Sequence, residues 1–252
     1  MFDWFLSLAL LAVGLLVIYQ IRLLRRISEK LRNLSKPERD PRVIAKKTRE
    51  ENWQHYRQSE YFAQLINLMD FKAAIPGLRS WAASADVLLT LVNISQKIKP
   101  KVVLDLGSGI STLVLAKASP GARVFSIDHL SEFAGKTRSL LEDHQITNVD
   151  LRVAPLRPNS AGSDWYEISA LSDIAQIDLL FIDGPPGSKD DKARHPVLAH
   201  CLSKLSPNAV IVIDDAARDG ERVLAEMFLQ ALPGYELEFL SHEKGTAVLR
   251  PK

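Results

Sequence analysis

After Pro100 the chain alternates short apolar runs with helix-like segments, and this alternation limits its fold more than any other feature. The runs are Val102–Leu106, Val124–Ile127, Leu151–Val153, Ile177–Ile182 and Val210–Ile213. Between them lie Thr112–Ala118, Ser131–Asp143 with Ser131 as a candidate N-cap, and His195–Leu205. Near-continuous apolar strands separated by helices predict a parallel sheet covered on both faces. The end of the chain differs. A helical stretch at Glu221–Leu232 is followed by Leu237–Leu240 and Thr246–Leu249, joined through Glu243-Lys244-Gly245. Strands that close cannot be parallel neighbours, because a parallel crossover needs a dozen or more residues, so they form a hairpin. The expected fold is α/β: a doubly wound, mostly parallel seven-stranded sheet ending in an antiparallel hairpin. Two amphipathic helices precede it, one marked by Tyr61, Phe62, Leu65, Ile66, Leu68 and Met69, the other by Val87, Leu88, Leu91, Val92 and Ile94.

Val102 to Thr112 reads as a buried strand, a Gly107-Ser108-Gly109 turn and a helix start. Glycines let a ligand approach the backbone closely, and the free N–H groups of the new helix suit a polar or anionic group. A lone Gly-x-Gly is weak evidence, and two neighbours sharpen it. The third glycine of a dinucleotide fingerprint would fall at Thr112 and is absent. Asp105, two residues before Gly107, opposes a pyrophosphate but suits an ammonium group. Asp128 ends the next run, where a carboxylate can accept ribose hydroxyls, although it also suits the cap of the following helix. A ligand with a ribose, an ammonium and no phosphate is S-adenosylmethionine (SAM).

Asp105-Leu106-Gly107-Ser108-Gly109, Asp128, Asp183 and the terminal hairpin together resemble the class I SAM-dependent methyltransferases, over roughly residues 80–250. The resemblance implies that Asp105, Gly107, Ser108, Gly109 and Ser111 hold the methionine end of the cofactor. It implies that Asp128 takes the ribose, with His129, Ala154 and Pro155 flanking the adenine.

Asp183 follows the fourth run, and Asp214 and Asp215 follow the fifth, so three carboxylates reach one sheet edge. Three acids there require a cation, a shared proton or strong hydration. An all-oxygen set suits Mg²⁺. The arrangement resembles the catechol O-methyltransferase type, which implies Asp183, Asp214 and Asp215 as ligands of Mg²⁺ or another divalent cation that activates an acceptor hydroxyl. Gly184-Pro185-Pro186-Gly187 departs from that group, and no lysine stands where its base would be. Asp183 and His195 are the candidate catalytic residues, with Lys189 nearby. A plainer reading makes Asp183 a loop-ordering residue and Asp214 or Asp215 a helix cap. Trp165 and Tyr166 suit an acceptor pocket or the core equally, and Trp81 and Ser84 lie where a lid could form.

The N-terminus carries a different signal. From Trp4 to Tyr19 there is no charge, and the stretch to Ile21 gives about 20 residues, enough to cross a hydrocarbon core. Asp3 precedes the run and Arg22, Arg25 and Arg26 follow it, which predicts an uncleaved single-pass anchor with the remainder of the chain in the cytoplasm. Ile21, Leu24, Ile27, Leu31 and Leu34 continue as a stripe that fits a parallel coiled coil, and hence a homodimer, or a helix lying in the interface. Pro37 and Pro41 are expected to break the helix and leave residues 36–50 as a polar linker. The expected domains are an anchor (1–24), a basic juxtamembrane helix and linker (25–55) and a methyltransferase domain (56–252).

Charge supports this division. Arg22 to Glu51 holds 11 Lys and Arg against 5 Asp and Glu, while the whole chain carries only +2. The part after Glu51 is therefore mildly acidic, which argues against nucleic acid as its partner. The expected partners are a small-molecule or glycan acceptor and the membrane. Cys201 is the only cysteine, so no internal disulfide forms, and it reads as a small buried hydrophobe. Two other readings differ in class. An NAD-dependent oxidoreductase calls for the missing glycine and no terminal hairpin, and a non-catalytic SAM-binding scaffold would bind the cofactor without turnover.

Overall fold

The computed structural model describes residues 2–34, 40–78 and 80–252, with the side chains of residues 2, 3, 5–9, 12, 31, 33 and 34 outside the description. It divides into two compact units, Met1–Tyr56 and Arg57–Lys252.

The first unit is helical. Helix α1 spans Phe2–Leu34. Helix α2, Pro41–Leu68, begins within it and runs on into the second unit. Residues 41–50 are therefore helical and not the linker expected from sequence. Pro41 opens the helix instead of breaking one: proline fits the first helical position, where its missing N–H has no partner to lose. Asp40 Oδ1 accepts the Arg42 N–H at 2.8 Å. Pro37 lies outside the described residues. Among the described residues, no helix is long and apolar enough to cross a membrane. The expected anchor falls partly on residues whose side chains are outside the description.

The second unit is built on the expected sheet. Its strands are β1 (Val102–Leu106), β2 (Arg123–Asp128), β3 (Val149–Val153), β6 (Ile177–Ile182), β7 (Leu205–Asp214), β8 (Tyr235–Leu240) and β9 (Thr246–Pro251), in the order β3-β2-β1-β6-β7-β9-β8. The first five run parallel, and β9 is antiparallel to both β7 and β8. A separate two-stranded ribbon, β4 (Leu156–Asn159) and β5 (Gly162–Tyr166), was not legible in the sequence.

Strand side chains alternate between two cores. Val103, Val124 and Val212 join Leu65, Val87, Leu91 and Leu113 on one face, beneath α3 (Ala85–Ile98) and α4 (Ile110–Ala118). Leu104, Ile127 and Ile211 meet Trp165, Tyr166 and Phe228 on the other, towards α6 (Pro196–Cys201) and α7 (Asp219–Ala231). Trp165 and Tyr166 are thus core residues. So is Cys201, whose thiol burial pushes up to about 12. Helix α5 spans Ser131–Asp143 with Leu130 at the N-cap, so Ser131 is its first residue and not its cap. The sixth helix is shorter than expected: it ends at Cys201, a 3₁₀ turn follows, and β7 starts at Leu205.

Candidate functional site

The strand order reverses at β1. The chain winds outward through β2 and β3, then returns to the other side of β1 with β6. In open α/β sheets the crevice at the C-terminal ends of two such strands is where ligands bind. Here the loops leaving β1 and β6 meet backbone to backbone. Gly107 has φ +107°, and a side chain on it would press on the Asp183 and Gly184 backbone at 3.2 Å. A methyl group on Gly184 would collide with the Tyr166 hydroxyl and meet Leu106 O. The Asp183 N–H donates to Leu106 O at 2.9 Å, and the Gly107 N–H donates to Ile127 O at 2.9 Å. The loop is fixed from both sides, and Gly109 caps the start of α4 with its N–H donating to Thr112 Oγ1 at 3.2 Å.

Asp105 lies beneath this loop. It is fully buried, and Thr112 Oγ1 donates to its Oδ2 at 2.6 Å while Ser111 Oγ donates to the same oxygen at 3.2 Å. Burial pushes its pKa up to about 7, against the pull of these hydroxyls. Asp105 and Ser111, both expected at the methionine end of the cofactor, are bonded to one another beneath the loop. Both face each other inside the protein, and they shape the loop from below. Thr112 explains the missing third glycine. Its hydroxyl bonds Asp105 and also pairs with Ser126 Oγ at 2.9 Å, so a side chain is required where a dinucleotide fold needs none.

Asp128 ends β2 beside the loop. Ser108 Oγ donates to its Oδ2 at 2.7 Å, the Ser108 N–H reaches the same oxygen at 3.3 Å, and the Leu130 N–H donates to Oδ1 at 2.9 Å. Asp128 thus braces the glycine loop and, through the Leu130 N–H, the turn into α5, although the N-cap of that helix is Leu130 itself. His129 Nδ1 is 3.5 Å from Asp128 Oδ1. The Ala154 N–H donates to Asp128 O at 2.7 Å, which brings the end of β3 alongside. Ala154 is buried and Pro155 is exposed. A cavity of about 560 Å³ opens on the other side of Ser108, lined by Ser108, Gly109 and Ile110, by Phe133, Lys136 and Thr137 of α5, and by Ala74–Pro76. A glycine-flanked loop and helix N-terminus lining a cavity, with a strand-end carboxylate bonded to that loop, fit a nucleoside-type ligand.

The acids of β6 and β7 do converge, around a residue the sequence reading missed. Arg194 is buried, its side chain 4% exposed. Its Nη2 donates to Asp183 O at 2.7 Å, to Asp215 Oδ2 at 2.9 Å and to Asp183 Oδ1 at 3.3 Å. Nη1 donates to Asp214 O at 3.0 Å and lies 3.5 Å from Glu221 Oε1. Arg218 adds a second contact to Asp215 Oδ2 at 2.9 Å. Burial, and then repulsion from Asp214, hold Asp183 well above the usual carboxylate range, and burial with repulsion from Asp215 pushes Asp214 up to about 6. The three aspartates do not fit the divalent ion expected there, since a guanidinium occupies the space between Asp183 and Asp215. Among the described residues, no group of three or more His, Cys, Asp and Glu is arranged to hold a metal. The signal was in the sequence: an arginine 11 residues after Asp183, just ahead of a helix and with no acid beside it.

His195 is not placed as a base for this edge. Its Nε2 pairs with Gly220 O at 2.9 Å, which ties the start of α6 to α7. Lys189 is exposed on the loop after β6. Ser84 is buried and donates to Asp86, while Trp81 is 67% exposed. Lys244, in the β8–β9 turn, donates to the carbonyls of Ser80 and Ala82 at 2.9 and 3.0 Å and so holds the segment that carries Trp81.

Residues 104–216 match the family model of a methyltransferase domain. No curated protein sequence matches the chain. Among solved structures, a methyltransferase from Geobacter sulfurreducens superposes with a TM-score of 0.52 at 20% identity, covering 90% of this chain and 96% of its own. An O-methyltransferase from Bacillus cereus in complex with SAH gives 0.56 at 20% identity, covering 77% and 90%. The O-methyltransferase of tomaymycin synthesis from Streptomyces achromogenes, in complex with SAM, gives 0.53 at 19% identity, covering 77% and 89%. These likenesses establish the fold.

Proposed function

We propose that this chain is a SAM-dependent O-methyltransferase acting on a hydroxyl of a small-molecule or glycan acceptor. The observation that carries the reading is the Gly107-Ser108-Gly109 loop bonded to Asp128 through Ser108, at the sheet's switch point, inside the segment that matches a methyltransferase domain. SAM, when bound, supplies a methyl group made electrophilic by its sulfonium. The work of the chain's own residues is binding and proton handling. Asp128 accepts the ribose hydroxyls in place of the Ser108 hydroxyl it now holds, the α4 N-terminus faces the carboxylate of the methionine end, and His129, Ala154 and Pro155 border the adenine.

Asp183 is the residue that takes the acceptor's proton. Its Oδ1 is held by Arg194, its side chain remains 16% exposed, and among the described residues no hydrogen bond reaches Oδ2. A carboxylate raised above its ordinary range is a stronger base towards a hydroxyl than a solvated one.

Calorimetry of the full chain with SAM, SAH and NAD tests the reading. SAM and SAH are expected to bind and NAD is not. Failure of SAM to bind sinks it. Transfer of labelled methyl from SAM to hydroxylated acceptors, lost in Asp183→Asn, tests the chemistry.

The proposal extends to location. The uncharged run Trp4–Tyr19, followed by Arg22, Arg25 and Arg26, supports an anchor with the catalytic unit on the cytoplasmic side, and the stripe from Ile21 to Leu34 supports pairing of two chains. Carbonate extraction of membranes is expected to leave the chain in the pellet, and recovery in the soluble fraction would remove the anchor.

A further inference from the structure

The acid cluster at the ends of β6 and β7 contains its own cation. All three guanidinium nitrogens of Arg194 are engaged: Nε donates to Pro185 O at 3.3 Å, Nη1 to Asp214 O, and Nη2 to both Asp183 and Asp215. Glu221 and Arg218 close the set, the latter from the half-exposed side. A divalent ion at this edge would have to draw carboxylate oxygens of Asp183 and Asp215 to a common point. Nη2 already stands at that point, 2.9 and 3.3 Å from one oxygen of each.

We infer that the Arg194 guanidinium is a built-in substitute for a divalent metal at this site: it neutralises Asp183 and Asp215, fixes the orientation of Asp183, and leaves no place for an ion. A guanidinium remains charged at every pH the fold survives and cannot dissociate, so the carboxylates keep their counter-ion without a metal supply. Arg194 is in this sense a positioning residue for Asp183. The guanidinium engages one carboxylate oxygen each of Asp183 and Asp215 and the backbone oxygen of Asp214, while Asp214 Oδ2 and Asp215 Oδ1 stay buried without a partner. The substitution stands on the side chains alone. Only its consequence, methyl transfer that needs no metal, rests on the function proposed above.

The test is binding of Mn²⁺ to the full chain, read by electron paramagnetic resonance, for wild type, Arg194→Gln and Asp183→Asn. Wild type is expected to take up no stoichiometric Mn²⁺ at millimolar concentration. Arg194→Gln, which empties the space and frees the carboxylates, is expected to gain one site, and Arg194→Lys to remain without it. One equivalent of Mn²⁺ bound by wild type and lost in Asp183→Asn overturns the inference. So does a folded Arg194→Gln that gains no site. If Arg194→Gln fails to fold, the wild-type and Asp183→Asn titrations still decide. Failure of SAM to bind would leave these results untouched, so the two proposals fail separately.

Discussion

Ser108 Oγ donates a 2.7 Å hydrogen bond to Asp128 Oδ2, tying the glycine loop after β1 to the last residue of β2. Thr137 of α5 donates in turn to Ser108 Oγ at 3.0 Å. A hydroxyl thus occupies the carboxylate where a ribose hydroxyl is proposed to bind, and it keeps a nearly buried charge partnered.

This arrangement separates two variants. Asp128→Ala is expected to weaken SAM binding by about 10- to 100-fold, the loss of a hydrogen bond to a charged group worth about 1.5–3 kcal/mol. Ser108→Ala removes the occupant of the site, and with it the acceptor of the Thr137 hydroxyl, and is expected to bind SAM at least as well as wild type. Calorimetry reads both, and unchanged affinity in Asp128→Ala would reject its ribose role.

The Tyr166 hydroxyl is buried without a hydrogen-bond partner and sits against Gly184. An unpartnered buried polar group costs about 1–3 kcal/mol. Tyr166→Phe is therefore expected to leave stability unchanged or to raise it. Gly184→Ala is expected to lower it by about 1–3 kcal/mol through overpacking, and adding Tyr166→Phe should restore part of the loss. Urea unfolding of the three variants measures this, and a destabilised Tyr166→Phe would mean that the hydroxyl has a partner after all.

Asp105 makes a pH signature. In the unfolded chain its carboxyl loses a proton near the ordinary 3.8; in the fold, burial raises this to about 7. Between the two values the folded state holds more protons, so its stability falls as pH rises from about 4 to 7 and levels off above. Asp105→Asn lacks this penalty. The melting temperature of the variant relative to wild type is expected to climb across that window, by an amount corresponding to a few kcal/mol at most. A constant difference would show that Asp105 titrates normally.

Asp86, in the first turn of α3, accepts from Ser84 Oγ, Val87 N–H, Gln58 Nε2 and Glu243 N–H. One buried carboxylate thereby joins α2, α3 and the β8–β9 turn. Asp86→Ala strands these donors and is expected to cost about 3 kcal/mol or more, measured by denaturant unfolding. A cost under about 1 kcal/mol would mean that water replaces the carboxylate.

Much of the fold was legible in the chain because strand burial is written as runs of adjacent residues. Val102–Leu106 and Ile177–Ile182 are strands with the bounds their apolar runs suggest. The hairpin followed from loop length alone. The ribbon of β4 and β5 escaped because Leu156–Tyr166 lacks a run or clean alternation, and Trp165 and Tyr166 are buried by what packs over them. Pro41 was misread because a proline's effect depends on whether it meets a helix at its first turn or in its middle.

At the site, the residue types alone marked the glycine loop, Asp128 and the three acids, since a turn chemistry and a strand-end carboxylate are local properties. The partners of those groups are not local. Asp105 turned inward to Ser111 and Thr112, His195 turned to the Gly220 carbonyl, and the cation the acids required came from Arg194, brought to them by the return of the chain from β6 towards α6. A charge is paired by whatever lies within a few ångströms, and that distance is set by how strands and loops meet in space.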